Sequence, residues 1–337
     1  MRTVDNPKNR FVPTEVQWDD GEAPPASLHI HEEQAKSILS ENRSPDIPFR
    51  FSVNPYRGCQ HACAYCYARP SHQYWGFGAG TDFERELVVK VNAPTLLQQA
   101  FESKSWRGDT IAFSGNTDCY QPIEGRYRLT RALLTICLQH KNPVGIITKS
   151  ALVVRDIELL QELTRQARVV VFVSIPFADD ATARAIEPGA PAIHRRFETL
   201  RALSEAGIET GVGVAPIIPG LSDSHVAQVL RRAKDAGARH AFHTALRLPS
   251  EVKPVFLARL HEALPQSARK VEHAIRELRD GDLNDSRFGE RMRGRGARWE
   301  MTDRLFTLET QRLGLLTERM PEQATTFNRA TKQLRLF

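Results

Sequence analysis

The chain has 337 residues, 41% hydrophobic and 26% charged, with a net charge of +6 and a pI of about 9.2. That is the make-up of a soluble globular protein with length for one large core or one domain plus appendages. Its longest apolar run, Val169–Val173, is far short of a membrane span. The opening Met1-Arg-Thr-Val-Asp-Asn-Pro-Lys lacks the apolar stretch of a secretory leader, and five cysteines, an odd number, do not make a disulfide framework. A reducing cytoplasm is therefore the expected location. The basic balance favours an anionic partner only mildly.

Residues 1–45 are polar, with Pro24-Pro25 and one short helical candidate near Glu32–Ser40, and read as a wrapping or partly disordered arm. Pro48–Val53 alternates as a strand and feeds a cysteine-rich loop. Leu87–Val91 is a short extended run, and Ala93–Lys104 a helix behind Asn92 with Pro94 in its first turn. Thr110–Phe113 is a strand, Tyr127–Gln139 a helix, Val144–Thr148 a strand and Leu152–Arg165 a helix. Arg168–Ile175 is a β-branched run suited to a strand buried on both faces. Ile193–Ala206 is a helix ended by Gly207, Ile208–Ala215 a strand, Ser222–Ala236 a helix ended by Gly237, and Arg239–Leu246 the last strand. Strands alternating with helices mean βαβ units and a parallel sheet. No Gly-x-Gly-x-x-Gly follows the first strand, so a dinucleotide-binding sheet loses support to a partial barrel with its site at the strands' C-terminal ends. From Val252 onward the pattern is helical and polar, with a break near Gly281–Gly296. The expected organisation is an arm over 1–45, a core over 46–250 and a helical extension over 251–337.

The loop after the first strand, Asn54-Pro-Tyr-Arg-Gly-Cys59-Gln-His-Ala-Cys63-Ala-Tyr-Cys66-Tyr-Ala-Arg69, holds three cysteines spaced Cys-x3-Cys-x2-Cys. Thiolates are soft ligands that select iron–sulfur clusters, zinc or copper(I). Three suit a [4Fe–4S] cube that leaves one iron free of protein, whereas a purely electron-carrying cube takes four. The competing reading is a structural zinc site completed by His61 or His72. Such sites usually pair cysteines in two separated knuckles, and Cys119 and Cys137 stand alone.

The Asn54–Arg69 segment, with Tyr65 before the last cysteine, resembles the signature of the radical S-adenosylmethionine (radical SAM) enzymes. Its wording is similar to the DNA repair photolyase-like branch that includes spore photoproduct lyase, and the resemblance extends from about Arg43 to about Arg295. It implies a partial (βα)6 TIM-type barrel with a helical C-terminal extension. It implies a [4Fe–4S] cluster on Cys59, Cys63 and Cys66 whose fourth iron is chelated by S-adenosylmethionine. A reductant such as flavodoxin or ferredoxin would supply one electron, releasing a 5′-deoxyadenosyl radical that abstracts hydrogen from the substrate.

The residues after each barrel strand are where chemistry is built. Ser114-Gly115-Asn116-Thr117-Asp118 follows the second strand, and the resemblance assigns it to the methionine amino group of the cofactor, although the wording departs from the family's Gly-Gly-Glu-like stretch. Lys149, after the third strand, is placed to meet the cofactor carboxylate. Ser174, after the fourth, corresponds to a polar residue facing the ribose or carboxylate. The stretch Glu187–Pro191 and the pair Arg195-Arg196 also look like the lyase-like branch, and either arginine is a candidate anchor for an acid. Gly213–Gly220, with Pro216, is a stiff loop suited to the adenine side.

Cys119 is a candidate hydrogen donor to a substrate radical, offset by several residues from the cysteine that spore photoproduct lyase uses; the plain alternative is an inert packed cysteine. Cys137 belongs to a helix core. The stretch 287–298 carries five arginines beside Phe288 and Trp299, a composition suited to phosphate contacts and base stacking but also to internal ion pairs. Two functions follow. One is a radical SAM enzyme acting on an unknown substrate, a nucleic-acid lesion being the nearest analogy; the other is a non-catalytic iron–sulfur or zinc module that binds nucleic acid.

Overall fold

The computed structural model describes residues 7, 10–11, 27–317 and 325–329. Ten strands run through it. β1 (His29–Glu33), β2 (Leu39–Glu41), β3 (Phe51–Val53), β4 (Tyr56–Arg57) and β5 (Glu86–Lys90) come first, and then β6 (Ile111–Phe113), β7 (Val144–Thr148), β8 (Val169–Ser174), β9 (Glu209–Ile217) and β10 (His240–Ala245). The order β3-β6-β7-β8-β9-β10 is parallel throughout. These six strands carry helices between them on one face, as the alternating pattern requires, and make the partial TIM-type barrel expected from the sequence. β8 (VVVFVS) is apolar and almost wholly buried, because side chains on both of its faces meet core.

A barrel left open has two edges, and unpaired strand edges invite association. Here each is covered. β2 pairs antiparallel with β3. Along β10, the Ala241 and Ala245 N–H groups donate to the carbonyls of Leu316 (2.9 Å) and Met292 (3.0 Å). The C-terminal helix Gly296–Leu313 packs alongside, with the His243 ring 4.1 Å from Phe306 and Arg231 paired to Glu309 at 3.5 Å. Residues 325–329 lie against the loops that lead into β6 and β7, where Thr325 donates to the Gly108 carbonyl and Phe327 stacks on His140.

The structure corrects one element of the arm. Residues 32–40 form no helix; β1 pairs in parallel with β5, and the Asn92 side chain brackets Ala35 with two hydrogen bonds to its backbone. Helical propensity is a weak prior, and here non-local strand pairing overrides it. The Glu86 carboxylate between His29 and His31 adds to that pairing. The remainder of the arm, 1–6, 8–9 and 12–26, lies outside the described residues.

Candidate active site

β3 delivers the chain to the barrel mouth, and the cysteine loop is then held on three sides. Cys59 N–H donates to the Phe83 carbonyl (2.8 Å). Gln121 clasps the loop with its amide, donating to the Gly58 carbonyl (2.9 Å) and accepting from Gln60 N–H (3.0 Å). From the far side, Ala64 N–H donates to the Ile186 carbonyl and Gly189 N–H to the His61 carbonyl. Gly189 is required there, since a Cβ would stand 2.0 Å from the Gln60 carbonyl oxygen. Beneath the loop the wholly buried Arg69 donates to the carbonyls of Cys63, Ala79 and Gly80 and pairs with Glu84 at 2.6 Å. Such a guanidinium satisfies carbonyls that would otherwise be buried unpaired.

Cys59 and Cys63 are buried and Cys66 is half-buried. Burial, then the charges of Asp118 and Cys66, pushes the Cys59 thiol up to about 12. Burial raises Cys63 well above the ordinary range, opposed by Lys149 and reinforced by Glu187, Cys66 and Cys59. Cys66 is raised by burial, with Arg69 opposing. The three thiols thus share one electrostatic neighbourhood. Among the described residues no three His, Cys, Asp or Glu side chains converge tightly enough to hold a single ion. Of the two histidines considered for a zinc site, His61 pairs with Asp118 at 3.3 Å, while His72 is packed between Phe77 and Phe83 with both ring nitrogens buried and without a hydrogen-bond partner. A multi-iron cube asks for thiolates on separate irons rather than for convergence on one centre, and a three-cysteine set fits it.

Behind Cys63 lies a buried charge network. Glu187 and Arg196 are paired with both side chains 0% exposed. The Tyr65 hydroxyl donates to Glu187, and Lys149 Nζ sits 3.8 Å from the same carboxylate. Arg196 also donates to the carbonyls of Ser174 (3.1 Å) and Pro191 (2.9 Å), which ties the end of β8 into the group. Burial works against the Glu187 charge, but Arg196 and Lys149 prevail and hold its pKa below the ordinary value. Lys149 is the reverse case: burial opposes its charge, and Cys63 and Glu187 raise its pKa regardless.

The other expected site residues fall as follows. Ser114 has a left-handed φ of +74° and accepts from Cys119 N–H (2.9 Å). The Gly115 carbonyl accepts from the Tyr67 hydroxyl (2.8 Å), and a Cβ at Gly115 would meet Ser52 at 2.7 Å. Asn116 N–H donates to the Asn54 side chain, while the Thr117 hydroxyl is spent on the Tyr56 carbonyl. Ser174 is buried and donates to the Ala215 carbonyl; Pro216 follows a cis peptide bond and is half-buried. Arg195 is not drawn in: it lies exposed on its helix and pairs with Glu198. Cys119 is 1% exposed in the core between Ser114 and Tyr120. Asp118, not singled out in the sequence, accepts from the Thr148 hydroxyl (2.7 Å) and Lys149 N–H (2.8 Å), and these with His61 bring its pKa down to about 2 against the effect of burial.

The arginine stretch is mostly neutralised within the chain. Arg287 pairs with Asp285, Arg291 with Asp46, Arg295 with Asp280 and Glu290, and Arg298 with Asp223 and Glu277.

Three thiols on one clamped loop, at the C-terminal mouth of a six-stranded parallel barrel, put soft metal-ligand side chains where such barrels carry their chemistry. The Radical SAM superfamily profile matches residues 53–233, more than half of the chain, and the chain belongs to the radical SAM superfamily. An uncharacterized protein of Mycobacterium tuberculosis is 38% identical over 254 residues, 74% of each chain. A radical SAM Nalpha-GlyT isomerase of Pseudomonas phage M6 is 24% identical over 213 residues, 62% of this chain and 42% of its own. Among solved structures, spore photoproduct lyase with bound AdoMet and dinucleoside spore photoproduct shares the fold with a TM-score of 0.60 at 14% identity, over 88% of this chain and 82% of that one. The family implies a [4Fe–4S] cluster and S-adenosylmethionine. Among the described residues no helix is long and apolar enough to cross a membrane.

Proposed function

We propose that this enzyme holds a [4Fe–4S] cluster on Cys59, Cys63 and Cys66, binds S-adenosylmethionine at the barrel mouth, and acts on a nucleic-acid substrate. The group supplies one-electron reductive cleavage of the sulfonium, which gives methionine and a 5′-deoxyadenosyl radical able to take hydrogen from an inert C–H bond. The observation that carries this reading is the clamped Cys-x3-Cys-x2-Cys loop at the barrel mouth, with Cys59 and Cys63 buried and Cys66 half-buried.

The chain's own residues orient and shield. Lys149, beside the Glu187 carboxylate at 3.8 Å, offers a fixed positive charge to the cofactor carboxylate. Ser114–Thr117 follow β6 and form the floor beside the cysteine loop, with Gly115 allowing close approach of backbone to ligand. Ser174 sits at the end of β8, within reach of the same mouth. Cys119 is a candidate hydrogen donor once substrate opens the site. A flavodoxin or ferredoxin is the expected reductant. The nucleic-acid assignment draws on the fold shared with spore photoproduct lyase bound to a dinucleoside spore photoproduct, which is an analogy of fold.

The test is anaerobic reconstitution with iron and sulfide, reduction, addition of S-adenosylmethionine and detection of 5′-deoxyadenosine. Cleavage by the wild type, lost in Cys59→Ala, Cys63→Ala and Cys66→Ala, is the expected result. A reducible brown protein that never cleaves the cofactor would instead favour a non-catalytic cluster module. Stoichiometric zinc with little iron would remove both cube readings.

A further inference from the structure

The lateral opening of the barrel lies between its two edges, and there the segments 44–46 and 289–291 meet. Arg291, on the loop before the last helix, pairs with Asp46 and donates to the Ser44 hydroxyl, just upstream of β3. Next to this strap stands Arg247, immediately beyond β10. Arg247 is half-buried, its Nε is buried without a hydrogen-bond partner, and Nη1 lies 3.5 Å from the Met292 sulfur. Among the described residues no carboxylate lies within ion-pair distance of it, in contrast to Arg287, Arg291, Arg295 and Arg298. Nearby Arg279 spends its guanidinium on the carbonyls of Leu246, Glu290, Arg291 and Arg293.

An arginine held half out of water with no carboxylate in ion-pair contact, the nearby Asp46 being taken by Arg291, is costly unless an anion completes it. What surrounds Arg247 says which anion. Arg247 follows β10 at the C-terminal end of the strands, the same end that carries the cysteine loop and Tyr67, the residue directly after Cys66. Tyr67 is 51% exposed and Phe288 61% exposed, and Arg291 lies over the Phe288 ring at 4.4 Å. Arginines in the neighbourhood of exposed rings are what receives phosphates and stacks bases of a single strand. A guanidinium also matches two oxygens of a phosphodiester at once, which a lysine cannot.

We propose that Arg247 is a substrate-binding residue that takes a backbone phosphate of a single-stranded or flipped-out nucleotide at the lateral opening, with the Tyr67 ring as the stacking surface beside it. This deepens the nucleic-acid reading above and rests on it for the substrate class. It assigns the unpaired arginine to substrate and leaves the cofactor carboxylate to Lys149.

The test uses cluster-reconstituted protein, a fluorescein-labelled thymidine decamer as probe, and anisotropy across a salt series. Wild type should bind with a salt-dependent affinity. Arg247→Gln should weaken binding about tenfold, the loss of one charge-assisted contact, and lower the log–log salt slope by about 0.7, one phosphate's worth for a single strand. Arg247→Lys should keep the slope and recover only part of the affinity. Arg165→Gln, an exposed helical arginine paired only with Glu162, should bind as wild type. Circular dichroism and iron content of each variant separate misfolding from lost binding. If the wild type does not bind the decamer, or Arg247→Gln binds with unchanged affinity and slope, the proposal is overturned. It is also overturned if Arg247→Gln loses affinity for S-adenosylmethionine but not for the decamer, which would give the guanidinium to the cofactor. Failure of the wild type to form 5′-deoxyadenosine counts against the proposed function and leaves the binding arm readable.

Discussion

Replacing Glu187 by Gln changes one oxygen for nitrogen and removes one charge from a place with no water. Glu187 and Arg196 are both fully buried, the Tyr65 hydroxyl donates to the carboxylate, and Lys149 is 3.8 Å away. A glutamine keeps the shape, yet Arg196 loses its only carboxylate partner among the described residues. Breaking a buried pair from one side costs about 3–5 kcal/mol, since the surviving charge stays desolvated. With an unfolding entropy of about 2.1 cal/mol/K per residue, a chain of this size should melt about 4–7 °C lower. The assay is anaerobic thermal unfolding followed by far-ultraviolet circular dichroism, with iron per chain measured after reconstitution. Tyr65 lies between Cys63 and Cys66, so loosening its hydroxyl should also lower the iron bound. Adding Arg196→Met to Glu187→Gln should destabilise by less than the two single changes together, because the orphaned cation is gone. Melting within a degree of wild type, or strict additivity in the double variant, would refute the claim that this network is one coupled unit.

Gly189→Ala should force the 186–189 turn and the cysteine loop apart, because its Cβ would stand 2.0 Å from the Gln60 carbonyl oxygen. Overpacking of that kind costs about 1–3 kcal/mol, and full iron loading at the wild-type melting point would show the contact to be dispensable. The Asp156 side chain is completely buried and paired with the partly exposed Arg131 and Arg155, and although burial pushes its pKa up, Arg155 and Arg131 hold it below the ordinary 3.8. Its folded value being depressed, its contribution is full above pH 3.8 and fades as pH falls through that lower value. Urea melts should therefore show the gap between wild type and Asp156→Asn narrowing below pH 3.8, and a gap independent of pH would contradict the assignment. Cys119→Ala should leave formation of 5′-deoxyadenosine intact, and its loss would mean that Cys119 supports the cofactor site itself.

The six barrel strands were legible because β-branched runs recur between amphipathic helices, a pattern that needs no partner to be seen. β1 and β2 were not, since Glu32–Ser40 carries helix formers while the strand identity of β1 comes from β5, more than fifty residues away, and that of β2 from antiparallel pairing with β3. The short helix Asp180–Ile186 also escaped, although Asp179, whose side chain accepts from Thr182 N–H at 2.8 Å, is a capping signal that could have found it. The choice between Arg195 and Arg196 was open in the sequence, yet the helix Ile193–Glu205 buries Ile193, Arg196, Phe197 and Leu200. That i, i+3, i+4, i+7 stripe puts Arg196 inward and Arg195 out. Glu187 stood within a quoted stretch, but its partners Tyr65 and Arg196 come from two other elements, and no local pattern encodes that meeting.

The clamps on the cysteine loop bear on the order in which this site is built. Arg69, Gln121 and the 186–189 turn hold the loop through its backbone, by contacts that involve no thiol. In small zinc domains the metal supplies the folding energy and the metal-free chain is unfolded. This chain has a continuous apolar core through the barrel and its helices, so its fold does not depend on the ligand set. Cys63→Ala should therefore retain the wild-type circular dichroism spectrum and lose only iron. A Cys63→Ala chain that unfolds cooperatively below room temperature would place the thiols, rather than the clamps, at the root of the loop's structure.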